Sequence, residues 1–163
     1  MIASIRSSLG SLLTGAAIAL STQGPAPVRP PDFVVARLDD RTDSARVRRI
    51  LGRPDSITSS DHPFNVGARL IDWWYHDLRV SFTGTDTVSG LWLLGGKVAS
   101  ARGLRVGDSR ARVRELYGTP ASVDSTSDAW VYHDSTDQSD LHLVKIFFKH
   151  NRVVRAFLGW VLD

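Results

Sequence analysis

Two stretches of the chain carry apolar residues at helical spacing. They are Val47, Ile50 and Leu51 in the first stretch, and Val113, Leu116 and Tyr117 in the second. Positions i, i+3 and i+4 lie on one side of a helix. Each stretch therefore predicts a short amphipathic helix with one apolar stripe.

Each predicted helix has a start signal and a stop signal in its flanking residues. The candidate N-caps are Thr42 or Asp43 for the first helix and Asp108 or Ser109 for the second. A side-chain oxygen at this position accepts a hydrogen bond from a free backbone N–H of the first turn. Gly52 and Gly118 predict left-handed C-terminal stops, and Pro54 and Pro120 prevent the helices from resuming.

Segments rich in aromatic and β-branched residues follow each helix and predict strands. They lie at about 70–76, 78–82 and 88–93 after the first helix, and at about 129–133, 144–148 and 153–158 after the second. Each half of the chain is therefore predicted to be a helix followed by an antiparallel three-stranded meander.

The two halves also match in sequence. Residues 45–59 read ARVRRILGRPDSITS and residues 111–125 read ARVRELYGTPASVDS, while WWYHD at 73–77 corresponds to WVYHD at 130–134. Differences in loop length around 61–67 and 135–143 compensate for each other, as loops tolerate and packed elements do not. The predicted fold class is α+β, with two tandem helix-plus-meander repeats at 38–100 and 101–163. One continuous curved sheet with the helices on one face is the alternative arrangement.

These motifs resemble the BamE (SmpA/OmlA) family over roughly residues 38–160. The second half carries the pattern Gly107-Asp108-Ser109, Val113, Leu116, Gly118-x-Pro120, Trp130-x-Tyr132 and a hairpin through Phe148. The tandem arrangement is also similar to the β-lactamase inhibitor protein family. The chain departs from both families because it has no cysteine for a lipid anchor or for disulfides. The resemblance implies binding in the cell envelope or outside the cell and leaves the target open.

The N-terminus has the order of a secretory signal: one basic residue, an apolar run at 11–20, then small residues and prolines. The apolar run is shorter than the ~20 residues that a transmembrane helix needs. Residues 1–26 are therefore predicted to be a signal peptide, with cleavage after Ala19 or Ala26, and residues 27–37 a linker. The predicted location is periplasmic or secreted, with no transmembrane span.

Composition narrows the classes of function further. The absence of cysteine excludes thiol catalysis, iron–sulfur clusters and cysteine-bound zinc. A net charge of only +3 gives no support for nucleic-acid binding. The six arginines around the helix stripes are interpreted as a solvated helix surface: Arg46, Arg48, Arg49, Arg110, Arg112 and Arg114.

The histidines do not form a recognised catalytic or metal motif. His76-Asp77 and His133-Asp134 are adjacent pairs, and adjacent residues of a strand point to opposite faces. His62, His142 and His150 are expected in loops. The chain is therefore predicted to have no cofactor, no metal and no enzymatic activity.

Strand alternation separates a predicted core face from a predicted binding face. Trp73 and Trp130 occur at matching positions of the two halves and are expected to face the helices. The opposite face is predicted to bind a partner through Trp74, His76, Arg79, Lys145, Phe147, Arg155 and Phe157. Exposed aromatic residues and arginine are typical of binding hot spots.

The predicted function is an exported, non-enzymatic protein-binding module of the cell envelope, similar to an outer-membrane assembly factor. Its partner is expected to be an envelope protein or a secreted enzyme. The alternatives are a secreted enzyme inhibitor, a small-ligand binder, or an enzyme with an unrecognised site. An open aromatic face favours protein binding, and a deep enclosed pocket favours the last two.

Overall fold

The computed structural model describes residues 24–61, 67–136 and 142–160. A 3-10 helix at Pro30–Phe33 precedes two α-helices, α1 (Ser44–Leu51) and α2 (Arg110–Tyr117). The strands are β1 (Ser56–Asp61), β2 (Arg69–Tyr75), β3 (Leu78–Thr83), β4 (Val88–Leu93), β5 (Ser122–Asp124), β6 (Ala129–His133), β7 (His142–Lys149) and β8 (Arg152–Trp160). They form one eight-stranded antiparallel sheet in the order β1-β2-β3-β4-β8-β7-β6-β5.

The predicted fold class, two tandem repeats of a helix and a three-stranded meander, is wrong. In the described part of the chain, four strands follow each α-helix, and all eight strands belong to a single sheet. The strands that were not predicted are β1 and β5, which form the two edges of the sheet. Every residue of β1 is exposed, so its sequence SITSSD lacks the apolar alternation that marks a half-buried strand.

One face of the sheet packs against both helices and carries the main core. Val47 of α1 and Val113 of α2 are fully buried in the same apolar cluster as Val80, Leu91 and Leu158. Two core tryptophans pack against phenylalanines of neighbouring strands. The ring centroids are 5.0 Å apart for Trp73 and Phe82, and 4.9 Å apart for Trp130 and Phe148. Trp73 and Trp130 therefore lie on the helix side of the sheet, as strand alternation predicts.

The helices begin and end at the residues that the sequence indicates. The Asp43 carboxylate accepts a hydrogen bond from the Arg46 N–H at 2.7 Å, and the Ser109 hydroxyl accepts one from the Arg112 N–H at 3.2 Å. Gly52 ends α1 with φ 81° and ψ −158°, and Gly118 ends α2 with φ 79° and ψ −149°. Both glycines differ from the predicted left-handed helical conformation in ψ. They occupy a region of backbone space that is almost exclusive to glycine.

Gly118→Ala should therefore lower the free energy of unfolding by roughly 1–3 kcal/mol, because alanine is strained in this conformation. The added Cβ would also lie 3.2 Å from Cγ of Pro25. Gly24→Ala is the matched control, since Gly24 has no positive φ and open space around it. Urea unfolding of both variants measures the effect. Equal stability of the two variants would contradict the assigned role of Gly118.

The described N-terminal segment lies against the helix side of the core. Val28, Phe33 and Val35, within the predicted linker, are buried there. Arg102 holds this segment, because its guanidinium donates to the Ala26 and Pro27 carbonyls at 2.8 Å and to the Asp32 carboxylate at 2.6 Å. Residues 1–23 of the predicted signal peptide lie outside the described residues. Within the described part of the chain, no helix is both long enough and apolar enough to cross a membrane.

The two halves of the sheet are joined where β4 pairs with β8. Gly90 lies opposite Gly159 in this pairing, followed by Leu91 opposite Leu158. Strand β8 also pairs with β7 along its whole length. Residues 156–159 of β8 are therefore paired with strands on both sides.

Candidate functional site

A row of side chains crosses the sheet on the face away from the helices, which we call the open face. The strand registers place Trp74 opposite Arg79, Arg79 opposite Trp92, and Trp92 opposite Phe157. The row continues through Lys145 of β7. Directly opposed residues of antiparallel strands share a face, so side chains from both halves of the chain meet in this row.

Trp92 lies between two guanidinium groups in the middle of the open face. The Arg79 Cζ is 4.3 Å from the Trp92 ring centroid, and the Arg155 Cζ is 5.7 Å from it. Arg79 also lies over Trp74 at 5.0 Å, and Arg155 lies over Phe147 at 4.3 Å. Aromatic rings attract cations placed over their faces, so this alternation holds the five side chains in a fixed arrangement.

A small apolar cluster underlies the charged groups. Val131, Leu143 and Phe157 are buried on the open face, with Trp92 packed against them at 4.9 Å between the Trp92 and Phe157 ring centroids. All of these residues belong to strands of the sheet. Because the described N-terminal segment packs on the other face, no described residue outside the sheet contributes to this cluster.

Two carboxylates on the open face compensate part of its positive charge. Asp124 accepts from the Lys145 ammonium at 2.9 Å and from the Ser127 hydroxyl at 2.6 Å. These hydrogen bonds, that of Ser127 first and that of Lys145 second, hold the pKa of Asp124 well below its usual range. Asp72 accepts from the Ser81 hydroxyl at 2.5 Å and lies 3.7 Å from Arg79.

The guanidinium of Arg79 is partly buried and only loosely paired. Burial lowers the pKa of Arg79, the Asp72 carboxylate opposes this effect, and the nearby Arg155 cation adds to it. Its buried Nε has no hydrogen-bond partner among the described residues. Arg155 is exposed, and no described carboxylate pairs with it. The open face therefore presents an excess of positive charge around Trp92.

The structure brings together most of the residues predicted for partner binding. Trp74, Arg79, Lys145, Phe147, Arg155 and Phe157 share the open face. His76 does not belong to this row, because it is an exposed residue of the turn between β2 and β3. That these residues bind a partner remains a prediction.

Sequence reasoning missed Trp92, which lies at the centre of the open face. The bounds of β4 were predicted, and Leu91 and Leu93 within it are buried in the core. Alternation from these two leucines would have placed Trp92 on the opposite face. The neighbours of Trp92 on β8 depend on a pairing between distant segments that no local pattern indicates.

Residues 98–157 match the family model described as the outer membrane protein assembly factor BamE domain. This part of the chain is a BamE-like domain. It contains α2, strands β5 to β7 and most of β8. The BamE-like domain supplies Lys145, Phe147, Arg155 and Phe157 to the open face, whereas Trp74, Arg79 and Trp92 precede it.

Similarity beyond this domain is limited. No curated protein matches the chain in sequence. A solved structure of an extracellular protein containing an SCP domain, from Bacillus anthracis, aligns with a TM-score of 0.48 at 12% sequence identity. The alignment covers 73% of this chain and 43% of that protein, so the chain spans less than half the length of this structure.

A concave region lies at the end of the sheet where β8 finishes. This open cleft of about 480 Å³ is lined by Pro30, Pro31, Val34, Asp39, Asp40, Arg41, Asp134, Thr136, His142 and Trp160. His142 was expected in a loop, but it begins β7 and is buried between the rings of Phe33 at 3.6 Å and Trp160 at 4.6 Å. Its Nδ1 lies 3.4 Å from the Asp134 carboxylate, and both side chains are buried.

The histidines and aspartates considered in the sequence do not form a metal site in the described part of the chain. No group of three or more His, Asp or Glu residues there has the geometry to hold a metal ion. Asp134, of the His133-Asp134 pair, contacts His142 and Thr136, whereas His76 is exposed in a turn. His62 lies outside the described residues.

Several helix arginines cover the core tryptophans. The Arg48 Cζ lies 4.8 Å from the ring centroid of Trp73, and Arg110 and Arg114 each lie 5.2 Å from that of Trp130. These arginines therefore shield core rings at the helix–sheet boundary and are more than a solvated surface. Arg112, in contrast, is exposed and pairs with Glu115 on its own helix.

Proposed function

We propose that this chain is an exported, non-enzymatic protein-binding module of the cell envelope, resembling an outer-membrane assembly factor, and that it binds its partner through the open face. The observation that carries the proposal is the partly exposed Arg79–Trp92–Arg155 arrangement on a sheet face that no other described element covers. Tryptophan and arginine are the residues most enriched at binding hot spots.

The BamE-like domain supports the envelope setting, because the matching family is described as an outer membrane protein assembly factor. The signal-like N-terminus supports export. Cleavage after Ala19 would retain both carbonyls of the N-terminal segment that Arg102 binds, whereas cleavage after Ala26 would remove that of Ala26. The periplasm is therefore the proposed location, and Ala19 is the site more compatible with the packed N-terminal segment.

The geometry of the open face supports a macromolecular partner over a small ligand. A small-molecule site encloses most of its ligand in a concave pocket. The open face is instead a broad sheet surface whose aromatic rings are partly covered by cations and whose polar groups point outward. A flat protein surface can contact several of these side chains at once.

Site-specific photo-crosslinking in the native host tests this proposal. A photoreactive amino acid at position 74 or 92 should capture the same protein, whereas one at position 123 should not. Val123 is the matched control because it is 60% exposed and lies on the helix side of an edge strand. The mass of the mature chain from the same cells reports the signal cleavage.

The captured protein should then bind the purified chain about 30-fold more weakly when Trp74 is replaced by alanine, as expected of a hot spot worth ~2 kcal/mol. Capture at position 123 but at neither 74 nor 92 would contradict the proposal. Capture of a secreted enzyme that loses activity in the complex would favour the inhibitor alternative.

A further inference from the structure

The two arginines beside Trp92 differ from the other cations of the open face in how they are paired. Lys145 has a carboxylate partner, Asp124, within hydrogen-bond distance. Arg79 lies 3.7 Å from Asp72, beyond a hydrogen bond, and the described residues provide no carboxylate for Arg155. The Asp72 carboxylate is itself engaged by the Ser81 hydroxyl.

Stacking on an aromatic ring uses only the flat face of a guanidinium. The five N–H donors lie in the plane of the group and point outward from its edge. The Cζ atoms of Arg79 and Arg155 lie 4.3 Å and 5.7 Å from the Trp92 ring centroid. The Arg79 Nε is buried, so its terminal Nη groups, together with the exposed guanidinium of Arg155, are the donors available to a carboxylate. Their ring contacts also reduce the entropy that a partner must remove when it binds, because both side chains already have fixed positions.

The same contacts disfavour a partner that needs bare aromatic rings. Arg79 lies over both Trp74 and Trp92, and Arg155 lies over Trp92 and Phe147. A sugar or a nucleobase would have to displace these cations before it could stack. A carboxylate binds the cations without moving them and also relieves the repulsion between them.

We propose that Arg79 and Arg155, on the two sides of Trp92, bind carboxylates of an acidic segment in the protein partner. This inference rests on the protein-binding function proposed above and specifies the chemistry of the partner. The partner segment combines Asp or Glu side chains, which reach the guanidinium edges, with apolar side chains, which cover the rim of Trp92 and Phe157. Contact between the apolar side chains of the partner and these two rings is favourable, because the rings already form part of the apolar cluster of the open face.

Fluorescence polarisation with labelled synthetic peptides tests this inference on the whole mature chain. One peptide alternates Asp with Leu, and its matched control alternates Asn with Leu. The Asp peptide should bind at least tenfold more tightly than the Asn peptide, since a hydrogen bond between two charged groups is stronger than one to a neutral amide. Its affinity should also fall as salt concentration rises.

The variants Arg155→Gln and Arg49→Gln separate the site from net charge, because both remove one positive charge and Arg49 lies on α1 at the other face. Arg155→Gln should weaken binding of the Asp peptide about tenfold, and Arg49→Gln should leave it unchanged. Arg155→Lys should restore only part of the affinity, because lysine lacks the planar fork of donors.

No binding of the Asp peptide, equal binding of the Asn peptide, or equal losses in the two Gln variants would overturn the inference. Binding of phosphatidylglycerol vesicles that requires Arg155, together with no binding of the peptide, would overturn it in favour of a lipid surface. If Trp74→Ala abolishes binding of the crosslinked partner but Arg155→Gln does not, the acidic-segment inference fails and the proposed function stands.

Discussion

Trp130→Ala should lower the free energy of unfolding by about 3–5 kcal/mol, whereas Trp74→Ala should lower it by about 1 kcal/mol or less. Trp130 is only 7% exposed and packs against Phe148 in the main core. Its removal leaves a cavity under α2 and takes away the ring that Arg110 and Arg114 cover. Trp74 is partly exposed on the open face, and its indole N–H donates to the Thr58 hydroxyl at the edge of the sheet.

Urea unfolding followed by circular dichroism measures both values without knowledge of the partner. Trp73→Ala is a second core variant, because Trp73 is also 7% exposed and packs against Phe82. It should resemble Trp130→Ala. A large loss of stability in Trp74→Ala with little change in Trp130→Ala would reverse the assigned faces and remove the basis of the proposed binding surface.

The sequence predicted helix ends and strand faces well, because few residue types suit these positions. Asp43 and Ser109 are the observed helix caps, and Gly52 and Gly118 occupy backbone conformations that other residues avoid. Strand alternation likewise separated the core from the open face, because one side of a strand must pack against the helices. In each case the determining interaction involves residues close together in the chain.

The edge strands were missed because their sequences reflect exposure. Strand β1 is exposed along its length, and the residues of the short strand β5 are at least partly exposed. Their pairing with β2 and β6 is made by backbone hydrogen bonds, to which most side chains contribute little. An expectation based on apolar alternation therefore gives three strands after each helix instead of four.

The arrangement around Trp92 could not be predicted for a different reason. It depends on the pairing of β4 with β8, which places Trp92 opposite Phe157 and near Arg155. Several residues of this face were expected individually from alternation, but their order across the sheet is set by long-range register. The positions of Arg79 and Arg155 beside Trp92, and hence the guanidinium donors available to a partner, follow from that register.

The pairing of β4 with β8 also depends on two opposed glycines. A Cβ on Gly159 would lie 2.5 Å from the Ser89 carbonyl oxygen and 2.8 Å from the Gly90 Cα, and Gly159 has φ 151°. A Cβ on Gly90 would instead meet the ring of Phe157, at 2.5 Å from Cε2. The obstacle is therefore backbone in the first case and a side chain in the second.

Gly159→Ala should consequently lower the free energy of unfolding by about 3 kcal/mol or more, through backbone strain and overpacking. Strand β8 cannot shift to relieve the contact, because Gly159 also pairs with Leu143 of β7. Gly90→Ala is the matched control and should lower the free energy of unfolding by only about 1 kcal/mol, since the Phe157 ring can rotate.

Rotation of the Phe157 ring disturbs the apolar cluster beneath Trp92, so Gly90→Ala should weaken partner binding while the chain stays folded. Chemical denaturation gives both stabilities, and polarisation with the Asp–Leu peptide gives the binding. Equal stability of the two variants would show that the β4–β8 junction adapts to a side chain at Gly159, and the junction would then not fix the position of Trp92 relative to Arg155.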